Sequence, residues 1–169
     1  VDVELPAIVE FERPSGGEQV IAQAVELLSN AKNPVILNGA GVVLSHGGLD
    51  ASRALAERLD APVCVGYQHN DAFPGSHPLF AGPLGYNGSK AGMELISEAD
   101  VVLCLGTRLN PFSTLPGYGM EYWPADAKIV QVDINPDRIG LTKKVSVGIV
   151  ADAAKAAKGI MDRLSETAG

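Results

Sequence analysis

The sequence predicts an α/β fold, a doubly wound, Rossmann-like parallel sheet of about six strands with helices on both faces. Short apolar runs such as residues 101–105, bounded by an acid before and a glycine after, are typical of strands buried on both faces. These runs alternate along the chain with segments of helical periodicity. That alternation favours parallel strands joined by crossover helices.

The first half of the chain shows this alternation clearly. Residues 15–18 match a capping box, and an apolar stripe with helical spacing follows until the Asn33-Pro34 pair ends it. A glycine-rich turn at residues 38–41 follows the first apolar run. The predicted elements here are a helix from residue 18, a strand at 35–37, a helix at 51–59 and a strand at 63–65.

The second half continues the pattern around the most apolar strand. The predicted elements are a strand at 79–81, a helix at 89–98, strands at 101–105, 129–134 and 145–150, and a closing helix that Asp152 caps and that runs to Leu164. A long connection at residues 110–127 holds three prolines and a cluster of aromatic residues. Connections of that length are usually functional or pack against a partner.

Composition narrows the class of protein. A formal net charge of −7 argues against nucleic acid and against an anionic membrane surface as partners. No apolar run approaches the roughly 20 residues that a membrane helix needs. Cys64 and Cys104 both fall in predicted buried strands, which favours apolar core residues in a reducing compartment over a disulfide. We therefore expect a cytoplasmic protein.

Residues 1–17 differ from the rest of the chain. They contain Pro6, Pro14 and a Gly16-Gly17 pair, show little periodicity and lack an initiator methionine. This composition is typical of an interdomain linker that drapes across a domain. We expect residues 1–17 to be a linker and residues 18–169 to form one domain of a longer protein.

Glycines and polar residues follow the predicted strands where a ligand would bind in such a fold. Gly39 and Gly41 begin a dinucleotide fingerprint, but Leu44 occupies the place of its third glycine, and no acid follows the second strand. An ordinary NAD site is therefore not expected. The two glycines still suit a tight turn that presents backbone N–H groups to an anion.

The ends of two predicted strands in the second half of the chain are expected to form neighbouring walls of one site. The first strand end offers a close backbone approach at Gly106, a hydroxyl at Thr107 and a guanidinium at Arg108. The Arg108 side chain is suited either to bind a phosphate or to form an ion pair within the protein. Asp133 is placed to accept from ribose hydroxyls, or else to cap the turn that begins at Pro136. Asn135 has a weaker claim, since its residue type is common in turns.

Other candidates give weaker signals. Gly85 and Asn87 precede a predicted helix, where they form either an anion-binding start or a plain turn. The three histidines have no metal-binding spacing, and no nucleophile elbow, P-loop or catalytic carboxylate pair is present. We therefore predict no catalytic and no metal-binding residue in this chain.

Several stretches, read in order, resemble the central domain of the thiamine-diphosphate-dependent enzymes, the superfamily of acetohydroxyacid synthase, pyruvate oxidase and oxalyl-CoA decarboxylase. The matching stretches are residues 33–41, 85–88, 99–108 and 129–136, with Ile139-Gly140 and Asp152. Within the superfamily, residues 116–128 and 135–144 are similar to the acetyltransferases that act on sulfoacetaldehyde.

This resemblance implies a three-domain enzyme that uses thiamine diphosphate and Mg²⁺, splits sulfoacetaldehyde, releases sulfite and passes an acetyl group to phosphate. The cofactor ligands would lie in the other two domains, so this segment alone should be inactive. In superfamily members that bind a nucleotide in the central domain, the contacts match Gly39, Gly41, Gly85, Asn87, Gly106, Arg108, Asp133 and Ile134 here. Flavin-binding members often carry Met-His where this chain has Tyr86-Asn87, which makes FAD unlikely and favours an adenine nucleotide or an empty site.

Alternatives remain open on the sequence alone. The chain also fits the central domain of a superfamily member acting on 2-oxo acids, of the acetolactate synthase or decarboxylase type. A stand-alone nucleotide-binding module is a further class. By family analogy, the expected partners are the other two domains of the same chain, a small-molecule substrate and further copies in a homodimer or homotetramer.

Overall fold

The computed structural model describes residues 11–167, with side chains as far as residue 164. Its centre is a sheet of six strands in the order β3-β2-β1-β4-β5-β6, and every pairing between neighbours is parallel. The strands are β1 Pro34–Asn38, β2 Val63–Gly66, β3 Phe80–Leu84, β4 Val101–Leu105, β5 Lys128–Asp133 and β6 Val147–Val150. The predicted doubly wound parallel sheet is thus confirmed.

Helices cover the two faces of the sheet unequally. They are α1 Glu18–Ser29, α2 Ala40–Leu44, α3 Gly48–Leu59, α4 Lys90–Ser97 and α5 Ala153–Thr167. Helices α1, α3 and α5 share one hydrophobic core with the sheet face they cover. The opposite face packs against α4 and the connection at residues 106–127, whose Leu109 and Tyr122 are 1% and 2% exposed. That long connection therefore serves as a cover for its own domain.

The two helix caps predicted from the sequence have different outcomes in the structure. The capping box at residues 15–18 is wrong: Gly17 is the N-cap of α1, and no side chain caps this helix. Ser15 instead pairs with Ala151 in an isolated antiparallel bridge, which places it beside the end of β6. At the other end of the chain, the predicted cap is present, since Asp152 Oδ1 accepts from the amides of Ala154 and Lys155.

The two cysteines lie in the strands that flank β1. Cys64 and Cys104 are free and fully buried. Burial raises the pKa of the Cys64 thiol to about 12 and also raises the pKa of the Cys104 thiol. Both therefore belong to the apolar core. Within residues 11–167, no helix combines the length and the apolar content required to cross a bilayer.

Candidate functional site

A cavity of about 680 Å³ opens at the carboxyl ends of the strands, where the strand order reverses between β1 and β4. Chains leaving the two strands diverge to opposite sides of the sheet at this point, and the divergence leaves a crevice between them. The turn after β1 and the turn after β4 form two of its walls. Ligands bind at this position in open α/β sheets.

Three glycines bring these two turns into direct contact. The amide of Gly41 donates to the carbonyl of Gly106 over 2.8 Å, and the amide of Gly39 donates to the carbonyl of Leu105 over 3.0 Å. A Cβ on Gly41 would lie 2.6 Å from the Cα of Gly106, and one on Gly39 would lie 2.6 Å from the Cβ of Thr107. The glycines thus permit one backbone to approach another. Because these two amides already have acceptors, they do not form the anion-binding turn expected from the sequence.

The charged lining of the cavity comes from side chains instead. Arg108 and Arg138 both line it and are exposed, and within residues 11–164 neither guanidinium makes a hydrogen bond or an ion pair. Asp133 is 5% exposed and also lines the cavity, and its Oδ1 accepts from the amide of Asn135 over 2.9 Å. The cavity therefore presents two guanidinium groups, unpaired within residues 11–164, together with the buried carboxylate of Asp133.

Gln131 holds the two arginine-bearing segments together. It is 1% exposed, and its Nε2 donates to the carbonyls of Thr107 and Arg138, each over 3.1 Å. Its Oε1 accepts from the amide of Gly140 over 2.9 Å. The sequence analysis did not single out this residue. A glutamine inside an otherwise apolar strand was the signal, since a buried amide needs hydrogen-bond partners.

A further wall of the cavity comes from the chain before α1, where Phe11 and Arg13 lie. Arg13 Nη1 donates to Asp152 Oδ2 over 2.9 Å and to the carbonyl of Leu44 over 3.1 Å. Asp152 also accepts from the hydroxyl of Ser45. Burial raises the pKa of Asp152, but the hydrogen bonds from Ser45 and Arg13 outweigh it and hold this pKa below its ordinary value. These residues were not predicted as part of the site.

The structure places most of the predicted site residues around this cavity. Those that line it are Gly39, Gly41, Gly106, Thr107, Arg108, Asp133 and Ile134. Gly85, Asn87 and Asn135 do not line it. Gly85 packs against the short helix at Pro111–Ser113, where a Cβ would lie 2.1 Å from the carbonyl oxygen of Phe112. Asn135 caps the turn at Pro136–Arg138, since its Oδ1 accepts from the amide of Asp137.

The cavity has few side chains that could hold a metal ion. Within the described residues, no three or more His, Cys, Asp and Glu side chains come together in a way that could hold a metal ion. The two carboxylates that line the cavity are Asp133 and Asp152, and Asp152 is already paired with Arg13. In the part of the chain that the structure describes, Asp133 is therefore the one lining carboxylate that is not in an ion pair.

Fold and crevice together define an open α/β domain of the Rossmann-like class. Residues 21–160 match the model of the family described as thiamine pyrophosphate enzyme, central domain. The chain belongs to this family, as the resemblance implied.

Relatives are similar over the whole chain. It is 75% identical over 169 residues to a sulfoacetaldehyde acetyltransferase of Roseovarius nubinhibens, and 71% identical over 169 residues to a probable sulfoacetaldehyde acetyltransferase of Rhizobium meliloti. In both comparisons the match covers 100% of this chain and 28% of the relative. The chain thus spans less than a third of the length of these relatives.

A solved structure shows the same fold. The crystal structure of benzoylformate decarboxylase from Polynucleobacter necessarius matches 96% of this chain and 30% of its own chain, with a TM-score of 0.72 at 21% sequence identity. At that identity the likeness shows the fold alone.

Proposed function

We propose that this chain is the central domain of a thiamine-diphosphate-dependent acetyltransferase. The full-length enzyme would convert sulfoacetaldehyde and phosphate to acetyl phosphate and sulfite. The observation that carries the proposal is identity of 75% and 71%, across all 169 residues, to two relatives that bear this name. The sequence analysis reached the same acetyltransferases from residues 116–128 and 135–144.

The proposed role of this domain in that reaction is structural. Thiamine diphosphate supplies the chemistry that breaks the bond between carbon and sulfur, and Mg²⁺ would accompany it, with both groups held outside this chain. Among the described residues, no three or more His, Cys, Asp and Glu side chains are grouped so that they could hold that metal ion. They would instead hold the flanking domains in position.

Substrate comparison tests this proposal against the 2-oxo acid alternative. The full-length enzyme, loaded with thiamine diphosphate and Mg²⁺ and supplied with phosphate, is assayed separately with sulfoacetaldehyde and with pyruvate over the same range of concentrations. The proposal expects sulfoacetaldehyde to be consumed with a much higher kcat/KM than pyruvate. A preference for pyruvate would retain the family and reject the acetyltransferase.

A second function is favoured by the cavity: binding of an adenine nucleotide. Arg108 and Arg138 are free to pair with phosphate groups, and the buried Asp133 carboxylate is suited to accept hydrogen bonds from ribose hydroxyls. The observed cavity volume, about 680 Å³, is typical of a small-molecule site. FAD is not proposed, because Tyr86-Asn87 replaces the Met-His of flavin-binding members.

The proposal extends to assembly and location. The partners are the two other domains of the same polypeptide, a small-molecule substrate and further copies in a homodimer or homotetramer. A cytoplasmic location is favoured by Cys64 and Cys104, which are free thiols in the core. Residues 1–17 would link this domain to the preceding one, and residues 18–169 would form the domain itself.

A further inference from the structure

A depression next to the cavity is lined by four large apolar side chains that face solvent. They belong to Phe11, Val43, Leu44 and Leu49, which are 84%, 36%, 71% and 40% exposed. The depression has a volume of about 920 Å³. We refer to this surface, with its four apolar residues, as the apolar depression. Single exposed apolar residues are ordinary, but four around one concave surface mark an interaction site.

Helix α2 explains why the apolar residues are exposed. It contains Val42, Val43 and Leu44 in succession, and successive helical side chains point about 100° apart. Only Val42 is buried, so the other two project away from the core. The helix is therefore more apolar than its contacts with the described residues require.

Charged side chains surround this apolar centre. The lining includes Lys155 and Lys158 of α5 as well as Glu12 and Asp50, and Glu12 pairs with Lys155 over 3.8 Å. Their charges are of both signs, which argues against a nucleic acid or an anionic lipid surface. An apolar centre with a mixed, charged rim is the usual composition of an interface between folded protein surfaces.

The course of the chain indicates which protein surface would cover the depression. Phe11 lies in its lining, so the polypeptide arrives at this surface before it enters α1. The segment is fixed there by Arg13, which pairs with Asp152, and by the amide of Asp152, which donates to the carbonyl of Pro14 over 2.8 Å. The ten residues before Phe11 span at most about 35 Å. Whatever domain precedes them is held at high effective concentration near the depression.

The opposite end of the chain leaves from another part of the molecule. Helix α5 begins at Ala153, beside the end of β6, and its 15 residues carry the chain about 22 Å away from that edge of the sheet. A domain that follows Thr167 is thus tethered at the far end of α5, whereas the chain before α1 passes through the lining of the depression itself. The relatives are more than three times as long as this chain, which represents 28% of each, and the family is a central domain.

We propose that the apolar depression is the docking surface for the domain that precedes this one in the same polypeptide. The depression would bury Leu44 and its apolar neighbours against that domain, while the Arg13–Asp152 pair fixes the direction from which the chain arrives. This inference rests on family membership and on the described residues, and it does not depend on the identity of the substrate.

Site-specific photo-crosslinking in the full-length enzyme tests the proposal. The photoreactive residue p-benzoylphenylalanine replaces Leu44 in one variant and Leu141 in a matched control, because these two leucines are 71% and 69% exposed. After irradiation, crosslinked peptides are identified by mass spectrometry. The Leu44 variant is expected to crosslink to residues that precede Val1 in the same polypeptide, and the Leu141 variant is expected not to do so.

The other outcomes overturn the proposal. They are a crosslink to the domain after residue 169, a crosslink to a second copy (seen as a species of twice the mass on a denaturing gel), a crosslink confined to residues 1–169, and no crosslink.

A second measurement avoids the bulky probe. Leu44→Asp and Leu141→Asp are compared by hydrogen exchange in the full-length enzyme. The proposal expects exchange in residues 40–50 to accelerate about tenfold in Leu44→Asp alone, because loss of the interface opens that surface. Equal exchange of residues 40–50 in both variants would contradict it.

Discussion

The amide of Gly41 donates to the carbonyl of Gly106 over 2.8 Å, so that the turns after β1 and β4 touch through their backbones. This contact lies at the reversal of strand order and sets the inner boundary of the cavity. Glycine is required on both sides because a Cβ on Gly41 would lie 2.6 Å from the Cα of Gly106, and the reverse substitution meets Gly41 at the same distance.

Substitution of Gly106 should therefore be costly. Gly106→Ala places a Cβ against the Gly41 backbone at a φ of +62°, which combines a backbone overlap with a strained conformation. We expect the free energy of unfolding, measured by urea denaturation of the 169-residue chain, to fall by about 3 kcal/mol.

Gly119 provides the matched control for that experiment. It has a φ of +72°, yet a Cβ there would meet nothing within 4 Å. Gly119→Ala should cost only the conformational strain, about 1 kcal/mol. Equal losses in the two variants would show that the contact between the turns contributes nothing.

Asp152 should make the stability of the domain depend on pH. Its folded-state pKa is held below the unfolded value, so the ionised carboxylate stabilises the fold above about pH 3.9. That contribution is lost as the pH falls through the folded-state pKa. Asp152→Ala is expected to reduce the free energy of unfolding by about 2 kcal/mol at pH 7, and the gap from the unsubstituted chain should narrow below about pH 3.9.

An exposed ion pair serves as the comparison. Asp50 pairs with Arg53 over 3.1 Å, and their side chains are 81% and 46% exposed. Asp50→Ala should change the free energy of unfolding by less than about 1 kcal/mol. A gap for Asp152→Ala that stays constant down to pH 2 would contradict the assigned role of the carboxylate.

Arg108 should contribute to nucleotide binding if the cavity holds an adenine nucleotide. Arg108→Leu removes a guanidinium with no partner among residues 11–164, so it should weaken ADP binding without unfolding the domain. Loss of one charge-assisted hydrogen bond corresponds to about a tenfold or greater rise in Kd. Isothermal titration of the full-length protein measures this.

Arg53→Leu is the control for Arg108, because Arg53 lies on α3 and pairs with Asp50 away from the cavity lining. It should leave the Kd for ADP unchanged. Absence of ADP binding in the unsubstituted protein would reject the nucleotide site while leaving the acetyltransferase proposal intact.

The two thiols should be unreactive in the folded protein. Burial raises the pKa of Cys64 to about 12, and the pKa of Cys104 is raised as well, so at pH 8 neither is present as the reactive thiolate. We expect iodoacetamide to label both residues only in denaturant, as measured by mass spectrometry. Rapid labelling of either in buffer would show that its strand opens.

The sheet was predictable because its signal is local. Residues 101–105 and 129–133 are apolar runs with turn residues after them, and both form central strands whose ends lie side by side. The sequence alone therefore allowed Asp133 and Arg108 to be placed on neighbouring walls of one cavity. Their role in binding a ligand stays a prediction.

The parts of the site that the sequence did not predict depend on contacts between residues that are distant along the chain. Arg13 reaches Asp152 across 139 positions, and although the linker composition predicts a segment that drapes across the domain, it does not indicate this pairing or the cavity wall that results. Helix α2 is only five residues long, too short for a periodic pattern to show. Gly85 was expected at the site but packs against the carbonyl of Phe112, because the turn after β3 lies away from the crevice.

One measurement tests the proposed function most directly. The full-length enzyme is incubated with sulfoacetaldehyde, phosphate, thiamine diphosphate and Mg²⁺, and sulfite and acetyl phosphate are measured in the same samples. The account predicts that the two products form in equal amounts and that both disappear when thiamine diphosphate is omitted. A folded enzyme that binds thiamine diphosphate yet forms neither product would contradict the account, and would leave this chain as the central domain of an enzyme with another substrate.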